Sequence, residues 1–433
     1  MFRLLLVLTL LLTARPSAAT EAAQAVLDQA LAQARERRQP LLVDFHAPWC
    51  YSCYYMKRNV LTGAEWQALQ QQVVLLSLDA DSPEGAHWKN QWQVKAIPAY
   101  LLLDGDGQEI GRILAEQTRP AFYAQMAALT ARSTPLTGLR QRAREATPAG
   151  RAAAAEVLAA FAARRAAEEG LAWWLQLPMA VRSHHQAEPA VRLGRDRLEL
   201  IRAEAAKDLP TCSASAAAVL DNPALGCDYA YELQRWLSCS SGLAAEPRKA
   251  LFAPRRTAVE ARLARDAAAC ADQRSVVFTA ADFQQALGNE PARRAVLDRA
   301  IDQARSQLGA DLASDRNQAD NLRVFLERAG RMEELDALMP RLIAAWPQDY
   351  VYPFRHGRSL LARGRAAEAL PFLDQAAPLA YGLNRLKVAE QRVQALQALD
   401  RAEEARRVVA EALKANGPWF PEDAAALRRL IER

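Results

Sequence analysis

Apolar residues in the first third of the chain recur with two different periods, and the alternation between them predicts a mixed α/β unit. Residues 22–37 carry apolar positions at helical spacing and end in charge, whereas 40–45 and 73–78 are short apolar runs of the buried-strand kind. Helices are expected over 50–69, with a break near Gly63, and over 83–92, followed by a strand at 100–103. Gly105-Asp106-Gly107 marks a hairpin, so 109–114 returns antiparallel before a closing helix at 119–131. This order predicts a parallel βαβ start and an antiparallel hairpin end.

Beyond Ser133-Thr134-Pro135, which reads as a linker, strand signals disappear and Ala, Leu, Arg and Glu dominate. The remainder is expected to be helical. Three units recur near the C-terminus: Gly330-Arg331-Met332-Glu333-Glu334-Leu335, Gly364-Arg365-Ala366-Ala367-Glu368-Ala369-Leu370 and Asp400-Arg401-Ala402-Glu403-Glu404-Ala405. Their arginines lie 34 and 36 residues apart, near the tetratricopeptide period. Gly357, Leu361 and Ala376 supply the small and apolar contacts that antiparallel helix pairs need. Residues 317–415 thus partly resemble tetratricopeptide repeats, while 136–316 are helical without a defensible period. Stacked helix pairs serve as scaffold or present a groove to a protein partner.

The chain of 433 residues is long for one core, and at roughly 150 residues per domain it suits two or three. Residues 1–19 read as a cleavable export signal: Met1-Phe2-Arg3, an apolar stretch over 4–12, then Ser17-Ala18-Ala19 with small residues at both recognition positions. Nine apolar residues fall well short of the roughly 20 that a spanning helix needs. No later stretch is apolar enough to span, so the mature chain is expected to have no membrane segment and to be periplasmic. Losing Arg3 and Arg15 takes the formal charge from +5 to +3, which calls for no nucleic-acid partner. The division is therefore 1–19 signal, 20–133 α/β domain, 134–316 helical domain and 317–433 helical repeats.

Candidate chemistry centres on Trp49-Cys50-Tyr51-Ser52-Cys53, directly after an apolar strand and before a helix. Two cysteines at this spacing close a small ring, and at a helix start the first sulfur sits among unpaired backbone N–H groups that favour its thiolate. Cys50 is then the nucleophile and Cys53 its resolver. Four more cysteines, Cys212, Cys227, Cys239 and Cys270, make an even count that favours structural disulfides in an exported chain. Three pairings are open. Zinc is the weaker reading, since these four contain no Cys-x-x-Cys pair, and no metal or other cofactor is expected. His184-His185, with only Glu188 as an acidic neighbour, reads as a solvated loop.

The run Val43-Asp44-Phe45-His46-Ala47-Pro48-Trp49-Cys50-Tyr51-Ser52-Cys53, with Ile97-Pro98 and the Gly105 hairpin, resembles the thioredoxin family over about a quarter of the chain. With residues 75–81 it is most similar to the C-terminal thioredoxin-like domain of bacterial thiol:disulfide interchange reductases. The resemblance implies a redox-active Cys50–Cys53 disulfide, with Cys50 exposed and attacking and Cys53 more buried. Asp44 matches the family's buried carboxylate, which moves a proton to or from the second cysteine. Many members pair that carboxylate with a lysine on the next strand, and 73–78 contains none. Pro98 matches the family's cis-proline, and Trp49, Tyr51, Ile97 and Ala99 would form an apolar docking surface around the sulfurs. Trp49 and Ile97 are also compatible with core positions, whereas Tyr51, between the cysteines, is hard to bury. His46, four residues before Cys50, reads as a strand-end residue able to influence the charge on Cys50.

The expected protein is thus an α/β thioredoxin-like domain followed by an all-α, partly tetratricopeptide-like repeat domain. Its expected activity is reduction of protein disulfides, fed by an upstream thiol redox partner, with the helices recruiting substrates. Tyr51-Ser52 departs from the intervening pairs typical of the family, and every 30 mV of potential is about 1.4 kcal/mol for this couple, so an oxidase or isomerase shares these residues. A binding or assembly protein that uses the thioredoxin unit only for docking is the alternative from another class.

Overall fold

A computed structural model of the chain describes residues 18–132 and 134–432. The expected signal lies outside these residues except for its last two, with which helix α1 begins (Ala18–Arg37). The α/β unit continues with β1 (Leu41–His46), α2 (Tyr51–Asn59), α3 (Gly63–Gln72), β2 (Val74–Asp79), α4 (Pro83–Gln91), β3 (Ala99–Leu103), β4 (Glu109–Leu114) and α5 (Arg119–Arg132). The helix expected over 50–69 is two helices, broken before Gly63. Arg119 spans the break, donating to the carbonyls of Asn59 at the end of α2 and of Thr62 at the N-cap of α3.

The sheet has the order β2-β1-β3-β4, with β1 parallel to β2 and antiparallel to β3, and β3 antiparallel to β4. Alternation along β1 divides the core. Leu41, Val43 and Phe45 pack with Leu27, Leu31 and Trp88 from α1 and α4, while Leu42 faces the opposite side with Met56, Tyr100, Phe122 and Met126. Because side chains alternate across a strand, Asp44 shares the face of Leu42, toward α2 and the cysteines. Turn chemistry closes the hairpin: Asp104 Oδ1 accepts from the N–H groups of Asp106 and Gln108.

All regular structure after residue 135 is helical among the described residues, and no helix there or earlier is long and apolar enough to cross a membrane. The four downstream cysteines pair as Cys212–Cys239 and Cys227–Cys270. The recurring arginines occupy one type of turn. Gly330, Gly364 and Asp400 adopt φ of 72°, 76° and 59°, and the N–H groups of Arg331, Arg365 and Arg401 return to the carbonyls of Leu326, Leu360 and Leu396. A reversed chain needs this left-handed residue, which glycine adopts without a Cβ penalty. Each arginine then pairs with the glutamate three residues on: Glu334, Glu368 or Glu404. These turns join the helices Arg316–Ala329 to Met332–Ala345, Val351–Ala362 to Ala366–Ala376, and Gly382–Ala398 to Ala402–Asn416. His184 and His185 do not form a solvated loop. They end the helix Met179–His185, where His185 is fully buried against the Ala143 carbonyl.

The helical region folds back over the α/β unit. Leu383 N–H donates to the Asp81 carbonyl over 2.9 Å, and the Tyr381 hydroxyl donates to Asp79. Gly382 makes this approach possible, since a Cβ there would stand 2.1 Å from the Asp81 oxygen.

Candidate active site

Cys50 and Cys53 form a disulfide, with Cys50 as the N-cap residue of α2 and its sulfur accepting the Cys53 N–H over 3.1 Å. The first sulfur therefore lies at the positive end of the helix, among donors that lack intrahelical partners. The loop Ala47-Pro48-Trp49 delivers it from the end of β1, and the Ile97–Pro98 peptide is cis.

Asp44 projects toward the same side of the sheet. Burial pushes its carboxyl up to about 6, against the opposing pull of His46. Its register partner on β2 is Ser77, which bears out the absence of a lysine opposite it. Its counter-charge is His46, two residues along its own strand.

Exposure of the two cysteine residues is the reverse of the expectation. Cys50 is 2% exposed, whereas Cys53 is partly exposed. The reason lies in the helical region. Arg355 Nη2 donates to the Trp49 carbonyl over 2.8 Å, and Asn317 Nδ2 donates to the Tyr51 carbonyl over 2.9 Å. The guanidinium of Arg274 lies 3.3 Å from the centre of the Tyr51 ring. Tyr51, expected to resist burial, is partly buried beneath Arg274, and its hydroxyl is pushed up to about 12 by burial and then by Asp272. Arg316 stacks likewise on Tyr54.

Of the expected docking residues, Trp49 is 37% exposed, with its indole N–H held by Asp81. Pro98 is buried and Ile97 partly buried against the sheet core. Ala99 is no surface residue: it is fully buried within β3, on the α1 and α4 side of the sheet, because alternation turns it away from the sulfurs.

Residues that the motif did not indicate complete the surroundings. Asp320 is 0% exposed and accepts from Arg274, Arg323 and Arg355 at 2.9, 2.8 and 2.5 Å. Burial alone would raise its carboxyl, yet the three arginines hold it well below the usual range. Asp81 Oδ2 accepts from both the Trp49 indole N–H and the Asn384 amide. Glu116, just beyond β4, is buried beside Ser52, and desolvation pushes it up to about 9, with Asp272 adding repulsion. It lines a cavity of about 240 Å³ between the two regions, together with Tyr51, Tyr55, Arg274, Asn317 and Gln318. The Cys227–Cys270 disulfide fixes the chain four residues before Arg274. An acidic residue two positions past the end of a strand was a readable hint for Glu116. Asp81 closes the 75–81 run already noted in the sequence, whereas Arg274, Asn317, Asp320 and Arg355 arrive from more than 200 residues away, with no local signal.

Glu116 gives a test of this environment. The folded chain keeps a proton that the unfolded chain releases above the ordinary value of 4.5, so stability is greatest below that pH and falls as pH rises toward about 9. Glu116→Gln is expected to flatten that fall and to raise stability at pH 7 by at most about 3 kcal/mol. Urea midpoints measured across pH check it. A slope unchanged by the substitution would count against a buried, protonated Glu116.

A thioredoxin-like family model matches residues 22–105. The thiol:disulfide interchange protein DsbD of Klebsiella pneumoniae is 32% identical over 106 residues, covering 24% of this chain and 17% of that protein. Thiol:disulfide interchange protein DsbD 1 of Pseudomonas aeruginosa is 36% identical over 113 residues, 23% of this chain and 19% of its own length. Thiol:disulfide interchange protein TxlA of Synechococcus elongatus is 32% identical over 145 residues, 31% of this chain and 72% of that protein. The chain spans less than a fifth of the length of these two DsbD proteins.

Proposed function

The chain belongs, through its N-terminal domain, to the thioredoxin-like family and is a thiol-disulfide oxidoreductase; on that premise we propose that it reduces disulfides of exported proteins in the periplasm. The observation that carries the reading is the Cys50–Cys53 pair at the N-terminus of α2, with Asp44 behind it. The thiolate of reduced Cys50 attacks one sulfur of a substrate disulfide, forming a mixed disulfide and releasing the other sulfur as thiolate. Cys53 then gives its proton to Asp44 and attacks the Cys50 sulfur. The second substrate thiol leaves, and the chain is left oxidised. An upstream thiol redox partner returns two electrons. A carboxylate poised near 6 suits proton exchange at neutral pH.

Residues 1–19 and two further disulfides support export. The repeated turns at Gly330, Gly364 and Asp400 support a tetratricopeptide-like array over residues 317–415 that recruits protein partners. Burial of Cys50 favours one second reading, an assembly protein in which the redox unit only docks.

Cys53→Ser decides between the two. Under the redox reading it accumulates mixed disulfides through Cys50 when expressed in an exporting host, and reductant releases them. Absence of any trapped protein, with Cys50 reactive toward small disulfides, supports docking instead. Equilibration of the Cys50–Cys53 pair with glutathione sets the direction: a potential near that of thioredoxin, about −270 mV, fits a reductant, and one near −120 mV an oxidase.

A further inference from the structure

We propose that Arg355, supplied by the helical region, is a positioning residue for the redox reaction, holding the peptide that carries Cys50 and stabilising its thiolate, with Arg274 assisting from the other side. The inference rests on the reading of Cys50 as nucleophile. It adds a function to the helices that partner recruitment does not include.

The geometry is specific. Arg355 presents one nitrogen to Asp320 and the other to the Trp49 carbonyl, one peptide from Cys50. Arg274 divides itself between Asp320, Asn321 and the face of Tyr51 on the following side. The two residues flanking Cys50 are therefore both gripped by guanidinium groups anchored on a single buried carboxylate. An arginine stays charged even where burial lowers it, as at Arg355. Such a cation acts on a neighbouring thiol more strongly the less water surrounds the thiol, and Cys50 is 2% exposed.

The other charged and titratable groups around the motif have partners of their own. On α2 itself Tyr51 and Tyr54 are neutral, both pushed upward by burial. Beneath it, Asp44 and His46 act on each other. Glu116 is protonated at neutral pH, and Asp81 is engaged by Trp49 and Asn384. Asp315 pairs with Arg58, and Asp349 with Arg316. Asp272 opposes Arg274 but is held by the Ser275 and Tyr231 hydroxyls. Arg323 shares Asp320 and also reaches Glu327. Arg355 has Asp320 as its one ion partner among the described residues, and Asp320 is divided three ways.

The test uses the full chain carrying Cys53→Ser, in which Cys50 is the single free thiol and the two downstream disulfides stay closed. Ultraviolet absorbance of the thiolate, followed against pH, reads the Cys50 pKa without any reagent having to enter the site. Arg355→Met is expected to raise that pKa by about one unit, a tenfold loss of thiolate below it, while Arg355→Lys restores most of the shift. Arg274→Met raises it in the same direction, and serves as the second measurement if Arg355→Met fails to reach the native circular dichroism spectrum. An unchanged pKa in both methionine variants overturns the proposal. So does an equal rise in Arg355→Lys and Arg355→Met, which would assign the effect to loosening of the site rather than to charge. None of these readings depends on which substrate the enzyme serves, so failure here leaves the redox function standing.

Discussion

Asp320→Ala is expected to cost about 3–5 kcal/mol, because it removes the carboxylate that three buried guanidinium groups share. The side chain is fully enclosed, so water does not replace it, and each arginine would keep its charge in a poorly hydrated place. The comparison that isolates burial is Asp336→Ala. Asp336 also binds two arginines, Arg363 and Arg365, but at side-chain exposures of 24–38%, and its loss should cost about 1 kcal/mol or less. Urea unfolding of both variants beside the parent measures the difference. Asp320→Ala should also loosen the hold of Arg274 and Arg355 on Tyr51 and Trp49, so that thiol reagents reach reduced Cys50 faster than in the parent. Equal midpoints for the two variants would mean that the Asp320 cluster contributes no more than a surface ion pair.

This cluster also marks where the sequence stops being legible. The α/β unit was readable almost residue by residue, because each strand and helix is decided by its own apolar spacing. The hairpin is decided by Asp104 and Gly107 within four residues of each other. The Cys50–Cys53 pair stood out through its spacing at a helix start, and Asp44 and Pro98 through the thioredoxin resemblance; the structure sets Asp44 within β1 and a cis Pro98 just before β3. The repeats at Arg331, Arg365 and Arg401 were readable because one turn geometry imposes one short pattern. Arg274, Asn317 and Arg355 were not. Each is one polar side chain on an arginine-rich helical array, and its role comes from a contact with a residue more than 200 positions earlier. Nothing local distinguishes Arg355 from Arg358 one turn away. The misplacements of Cys50, Tyr51 and Ala99 share this origin in part: an isolated domain leaves its motif open, and here the later helices cover Cys50 and Tyr51. Ala99 differs, since the two-residue period of β3 alone turns it inward.

Accessibility and ionisation point to different cysteines as the attacker, and Cys50→Ser is expected to settle the matter for ionisation. Cys53 is the more exposed of the two residues, which favours it as the attacker if access alone decides. Attack, however, requires a thiolate, and the Cys50 sulfur accepts the Cys53 N–H at the helix start, while Cys53 lies within the first turn of α2. Lowering a thiol from about 8.5 to about 7 raises its thiolate fraction at pH 7 from a few per cent to about half, a gain that a brief opening of the helical cover can turn into reaction. Cys50→Ser should therefore lower the rate of disulfide reduction by about a thousandfold or more, to the uncatalysed background, since a serine hydroxyl does not attack disulfide sulfur. Cys53→Ser should still form one mixed disulfide per chain and then stall. The rate with a small aromatic disulfide, followed by release of its coloured thiol, separates the cases. If Cys50→Ser instead forms the stalled adduct and Cys53→Ser is inert, the exposed sulfur is the nucleophile, and the arginines gripping Trp49 and Tyr51 protect a resolving cysteine.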